Sequence, residues 1–167
     1  TKANTYSGTT IIAVNGGTLQ LNKTVGNTLP LNNNVVVNGG KLRISSDQIL
    51  NDLSFLGGNI TVDDGVTLTI NGTFDYFQPA TITLTGTGKI AYGPNGTLKY
   101  SGTVAKNSSS QEFPSTGGPF HVNCNNSGGV TLPAAFISRT IFGSLILSTG
   151  AFTIGPGVLL DLNGASL

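Results

Sequence analysis

Asp63 and Asp64 are the only adjacent carboxylates in the chain, and paired acids can hold calcium or divide acid and base roles across a glycosidic bond. The pair lies in Val62-Asp63-Asp64-Gly65-Val66, between two alternating stretches, where Asp is favoured because it bonds its own backbone. Turn chemistry is therefore the expected role, and a carbohydrate-active site would require Asp75, with Lys89 or Lys99, to converge on the pair. His121 and Cys124 are the only residues of their types. They cannot form a nucleophilic pair if Phe120-His121-Val122-Asn123-Cys124 is a regular strand, because residues three apart point to opposite faces. His121 and Asn123 then belong to the surface, and Phe120, Val122 and Cys124 to the core, where Cys behaves as a small hydrophobe.

Three other patterns invite a functional reading. Thr67/Thr69 and Thr81/Thr83/Thr85 repeat Thr-x-Thr as a flat ice-binding array would, but the groups start 81 − 67 = 14 residues apart. That is short of one full repeat, so solvent-facing strand threonine is expected, in keeping with its β propensity. Phe74-Asp75-Tyr76-Phe77 is the densest aromatic patch and could stack on sugar rings, although an interior stack suits a chain with only 7% aromatic residues. Asn-x-Ser/Thr occurs at Asn22, Asn59, Asn71, Asn95, Asn107 and Asn125, a frequency that chance supplies in so Asn- and Thr-rich a sequence.

The elements that must position these groups are announced by a phrase that restarts: Gly16-Gly17-Thr18-Leu19-Gln20-Leu21, Gly39-Gly40-Lys41-Leu42-Arg43-Ile44 and Gly57-Gly58-Asn59-Ile60-Thr61-Val62. Each reads as a period-two strand launched from a glycine turn, and repetition at 23 and 18 residues matches the shorter solenoid repeats of ~20 residues. Later restarts are less regular, which points to insertions in the middle coils. Strands are expected at Thr9–Val14, Leu29–Leu31 and Val35–Val37, and then almost continuously from Asn59 to Tyr100. The only helix-like stretch is Ser46–Leu56, with apolar residues at 49, 50, 53 and 56. Against it, Leu53-Ser54-Phe55 alternates straight into Gly57-Gly58, as a strand does.

Composition narrows the function classes. Charged residues make up 9% of the chain, and eight Lys plus Arg nearly cancel seven Asp plus Glu. No cationic cluster exists to neutralise a nucleic-acid backbone or gather anionic lipid. One cysteine allows neither an internal disulfide nor a cysteine-rich metal knuckle. No run of 18 apolar residues is present to span a bilayer as a helix, and no signal-type segment opens the sequence. The absence of an initial Met and the strand rhythm at residues 157–167 suggest a fragment of a longer repeat protein.

The opening Asn4-Thr5-Tyr6-Ser7-Gly8-Thr9-Thr10-Ile11, followed by Gly16-Gly17-Thr18-Leu19-Gln20-Leu21, resembles the autotransporter-associated β-strand repeat, typically worded NTYTGGTT and then AGTLQL. Ser7 stands for a Thr and one glycine of the first pair is missing. More loosely, Asn126–Pro133 and Leu145–Gly150 resemble the repetitive regions of large Bacteroidetes surface adhesins, often exported by the type IX system. The resemblance implies a β-solenoid on a bacterial cell surface with an adhesive or stalk role, and carries over no catalytic residue.

The expectation is thus an all-β protein, a parallel β-solenoid of roughly seven to eight rungs. Residues 1–105 form rungs, 106–118 a loop or joint between stacks, and 119–167 continuing rungs. The expected role is a structural stalk or adhesive shaft without catalysis, with no catalytic, cofactor-binding or metal-binding residue assigned and no cofactor. Expected partners are surface glycans, host or neighbouring cell surfaces, or other copies that self-associate or pack end to end, with neither nucleic acid nor membrane insertion. The alternatives are a carbohydrate-binding or carbohydrate-active β-helix module and an ice-binding face.

Overall fold

The computed structural model describes residues 5–23, 26–77 and 79–163, and among them every regular element is a β-strand. All strand pairings are parallel and join one turn of the chain to the next, so the molecule is a β-solenoid of about seven turns. The first coil contributes β1 (Thr10–Ile12) and β2 (Thr18–Leu21), the second β3 (Val35–Ile44) and β4 (Gln48–Leu50), the third β5 (Leu53–Val62) and β6 (Thr67–Ile70). The fourth holds β7 (Thr73–Phe77), β8 (Thr81–Leu84) and β9 (Lys89–Tyr92), and the fifth β10 (Thr97–Gly102) and β11 (Lys106–Asn107). The sixth holds β12 (His121–Asn126), β13 (Val130–Leu132) and β14 (Ser138–Thr140), and the seventh β15 (Leu145–Thr149), β16 (Phe152–Ile154) and β17 (Leu159–Asp161). Asn4, which opens the autotransporter-like phrase, and residues 164–167 lie outside the described set.

Each coil has three sides. The first side is one continuous ladder, β1-β3-β5-β7-β10-β12-β15, and it passes residues 106–118 without a break because β10 pairs with both β7 and β12. The other two sides are interrupted at the fifth coil: β8 ends one ladder before β11-β13-β16 begins, and β4-β6-β9 stops short of β14-β17. There residues 108–118 cross the third side, where Tyr92 N donates to Gly117 O (3.0 Å) and Arg139 Nε to Phe113 O (2.7 Å). In the first coil an amide side chain replaces a strand: Asn27 Nδ2 donates to Ile49 O (2.8 Å), and Asn27 Oδ1 accepts from Ile49 N (2.9 Å).

Inside, register aligns like with like. Val35, Leu53, Phe74, Leu98, Val122 and Leu145 form one column, and Ile12, Val37, Phe55, Tyr76, Tyr100 and Cys124 another. On the second side Leu21, Ile44 and Val62 stack in register, all fully buried. The aromatic patch sends Phe74 and Tyr76 inward, where they stack with Phe55 at centroid separations of 5.6–6.4 Å, while Asp75 and Phe77 face out. Burying each such large side chain contributes about 1.5–3 kcal/mol, but every column is closed only by its neighbours above and below.

Two expectations about local structure are corrected. The glycine pairs at 39–40 and 57–58 do not launch strands. They lie inside ten-residue strands, as irregularities where β3 and β5 turn from the first side to the second. Gly39 and Gly58 take positive φ (97° and 85°), the conformation glycine adopts without a Cβ penalty. Leu29–Leu31 is not a strand: Pro30 O accepts from Asn33 N (2.9 Å) to close a turn, with Leu29 buried beneath it. The helix-like pattern of Ser46–Leu56 resolves into β4 and the start of β5, because Leu50, Leu53 and Phe55 complete columns already set by neighbouring coils.

Candidate functional site

The acidic residues singled out in the sequence occupy separate places. Asp63 and Asp64 form the corner between β5 and β6. Asp63 accepts from Arg43 Nε (3.0 Å) and Ser45 Oγ (2.6 Å), and the bond from Arg43, ahead of that from Ser45, holds its carboxyl below the usual range. Asp64 Oδ1 accepts from Thr87 N (2.7 Å) of the next coil, the main cause of its own lowered pKa. Asp75 stands on the first side and pairs with Lys99 (2.8 Å), its neighbour one coil on. Lys89 belongs to the third side, in register with Thr67. Of the group, only Asp75 and Lys99 are brought together. Among the described residues no three His, Cys, Asp or Glu side chains gather as a metal site would require.

The other candidates are equally dispersed. His121 is half-buried and its Nδ1 bonds Ser144 Oγ (2.8 Å), while Cys124 is sealed in the core and burial pushes its thiol pKa up. Phe120 is not part of β12 or of the interior column: it precedes the strand and stacks on the exposed Phe142 (6.3 Å). Thr67 and Thr69 line the third side, whereas Thr81 and Thr83 face out from the second.

Sequence reasoning missed a polar node within the coil. Where the second and third ladders break, Lys106 (7% exposed) points inward, 3.4 Å from Oε1 of the fully buried Glu112, and its Nζ lies 4.3 Å from the Tyr76 ring centroid. Glu112 also accepts from Ser109 N (2.8 Å) and from the Ser109 hydroxyl. Three phenols close the shell. Tyr76 Oη donates to Ala80 O (2.8 Å) and takes a bond from Lys106 Nζ (3.2 Å), Tyr92 Oη donates to Glu112 O (2.6 Å), and Tyr100 Oη bonds Ser108 Oγ. Burial, then the Glu112 charge, raises all three phenol pKa values above 10. No buried polar side-chain atom lacks a partner among the described residues, the condition under which a buried network fixes one arrangement. Beyond it, the buried Arg139 lies 3.7 Å over the Phe136 ring. Three tyrosines at inward positions of their strands were the one available signal.

On the outside, the residue preceding the first inward position of each first-side strand is polar in all seven coils: Thr9, Asn34, Asp52, Thr73, Thr97, His121 and Ser144. Along coils one to four this column borders a concave hollow of about 310 Å³, lined by Thr9, Asn34, Val35, Val36, Asp52, Ser54, Thr73 and Asp75.

These features define a parallel β-solenoid with a satisfied polar node inside and a hydrogen-bonding column outside. No protein-family model, no curated protein and no solved structure matches the chain.

Proposed function

We propose that this chain is a structural shaft, a stiff segment of a bacterial surface or secreted protein that separates or displays other parts and catalyses no reaction itself. The observation that supports this reading is the unbroken first-side ladder of seven parallel strands with aligned interior columns. Parallel ladders distribute load along the axis over hydrogen bonds at every coil, each coil adding about 4.8 Å of length. The likeness of residues 4–21 to the autotransporter-associated repeat supports a cell-surface setting and an adhesin as the parent. End-to-end packing of copies, or of further coils, would extend the columns at either terminus. Single-molecule extension between the two termini tests the proposal: a shaft holds its length and then yields coil by coil at high force. Extension at the low force of an unfolded chain would defeat it, as would exclusive labelling of the native protein inside the cell by an antibody.

A further inference from the structure

We infer that the hollow on the first side of coils one to four is a binding site for a linear, neutral saccharide lying along the solenoid axis. The site goes beyond the shaft reading and does not rest on it. Its volume of about 310 Å³ falls at the lower end of small-molecule sites, and six of its eight lining residues carry hydrogen-bonding side chains. Hydroxyls come from Thr9, Ser54 and Thr73, an amide from Asn34, carboxylates from Asp52 and Asp75, and an apolar floor from Val36. Vicinal hydroxyls of a pyranose bond to such groups, and its C–H faces sit against an aliphatic side chain.

The carboxylates are held in place rather than mobile. Asp52 Oδ1 accepts from Thr73 N (2.7 Å) and Oδ2 from Asn51 Nδ2 (3.2 Å); Asp75 is fixed by Lys99 (2.8 Å) and Ser101 Oγ (2.5 Å). Each carboxylate oxygen retains a further lone pair to accept a sugar hydroxyl, and bonds to charged acceptors are the stronger ones. With Lys99 compensating one of two negative charges, the hollow repels polyanions and admits uncharged chains.

Periodicity favours a polymer over a single sugar. The polar column repeats with the coil, about every 4.8 Å, and an extended saccharide presents hydroxyl-bearing rings at a comparable repeat. Beyond the hollow the column continues through Thr97, His121 and Ser144, beside the stacked pair Phe120 and Phe142, the latter exposed. Gly143 makes room for that arrangement, since a Cβ there would lie 2.4–2.5 Å from the Phe120 and His121 rings.

The test is amide chemical-shift mapping of the whole chain, titrated with linear hexasaccharides of glucose, mannose and N-acetylglucosamine, and with polygalacturonate as the anionic comparison. Saturable shifts at Asn34, Ser54, Thr73 and Thr97 with at least one neutral hexasaccharide, and none with polygalacturonate, are expected. Ser54→Phe, which fills the hollow on an outward strand position, should weaken binding at least tenfold with an unchanged melting midpoint, while Thr131→Phe on the second side leaves it intact. Should Ser54→Phe not fold, Thr73→Val removes one hydroxyl at nearly constant volume and should weaken binding several-fold. No shifts at millimolar saccharide, shifts mapping elsewhere, equal binding of polygalacturonate, or indifference to these variants would overturn the assignment. None of those results bears on the force response that tests the shaft.

Discussion

The phenols of Tyr76, Tyr92 and Tyr100 carry the plainest pH consequence in the molecule. Each is buried, and Tyr76 and Tyr92 donate to main-chain carbonyls that a phenolate could not serve. Their folded pKa values are raised, first by desolvation and then by Glu112, so their contribution is intact below about pH 10, the unfolded value. As pH rises past that point the unfolded chain releases protons the folded chain keeps, and stability falls by up to about 1.4 kcal/mol per pH unit for each phenol. Denaturant unfolding followed from pH 8 to 11.5 should therefore show a steep decline setting in near pH 10. Tyrosinate absorbance from these three should appear only with unfolding. The ion pair at the same node predicts strong coupling. Lys106→Met leaves Glu112 buried without its cation and should cost about 3–5 kcal/mol, as should Glu112→Leu, whereas the double variant should lose much less than the sum. Additive losses in a denaturant double-mutant cycle would show that the two side chains act independently.

At the scale of elements, the glycine corners separate two residues that the sequence presents as equals. Gly58 has φ of 85°, and a Cβ there would come within 2.1 Å of Gly40 O, whereas at Gly57 the nearest atom would be 3.7 Å away. Gly58→Ala should therefore destabilise by more than about 1–3 kcal/mol, from left-handed backbone plus collision between coils. Gly57→Ala should stay within about 1 kcal/mol of the parent in the same thermal or denaturant assay. The same corner shows what could be seen beforehand. Alternation in Leu42-Arg43-Ile44 and Ile60-Thr61-Val62 exposed the strands and which side chains face inward, because period two is a property of the backbone, while the repeat of ~20 residues pointed to the parallel stack. That two glycines bend a strand instead of preceding one depends on contact with the coil below, which no local pattern encodes. Lys106 and Glu112 were illegible for a related reason. Within Lys106–Gly118 their polarity reads as loop, and only the breaks in the second and third ladders create the interior space that they fill. The hollow was hidden too, since Asn34, Asp52 and Thr73 meet only through register across coils.

At the scale of the whole molecule, stability should follow position along the axis. A solenoid behaves as a one-dimensional array in which each coil is stabilised by the coils that flank it. Burial falls toward the seventh coil: β7 alternates buried and half-buried residues and β10 buries three of its six, while in β15 four of five residues are exposed, Leu147 among them at an inward register position. The fifth coil is the other variable, because only the first side is continuous there and the polar node spans the gaps in the remaining two. If the node couples the halves, native-state hydrogen exchange should give β5, β7, β10 and β12 one common opening free energy, higher than that of β15, β16 and β17. Glu112→Leu should then lower protection in β10 and β12 together while β3 and β5 change less, splitting a single cooperative unit at the fifth coil. Uniform loss of protection across all seven coils in that variant would show instead that the first-side ladder alone carries cooperativity, with the node adding stability but no coupling.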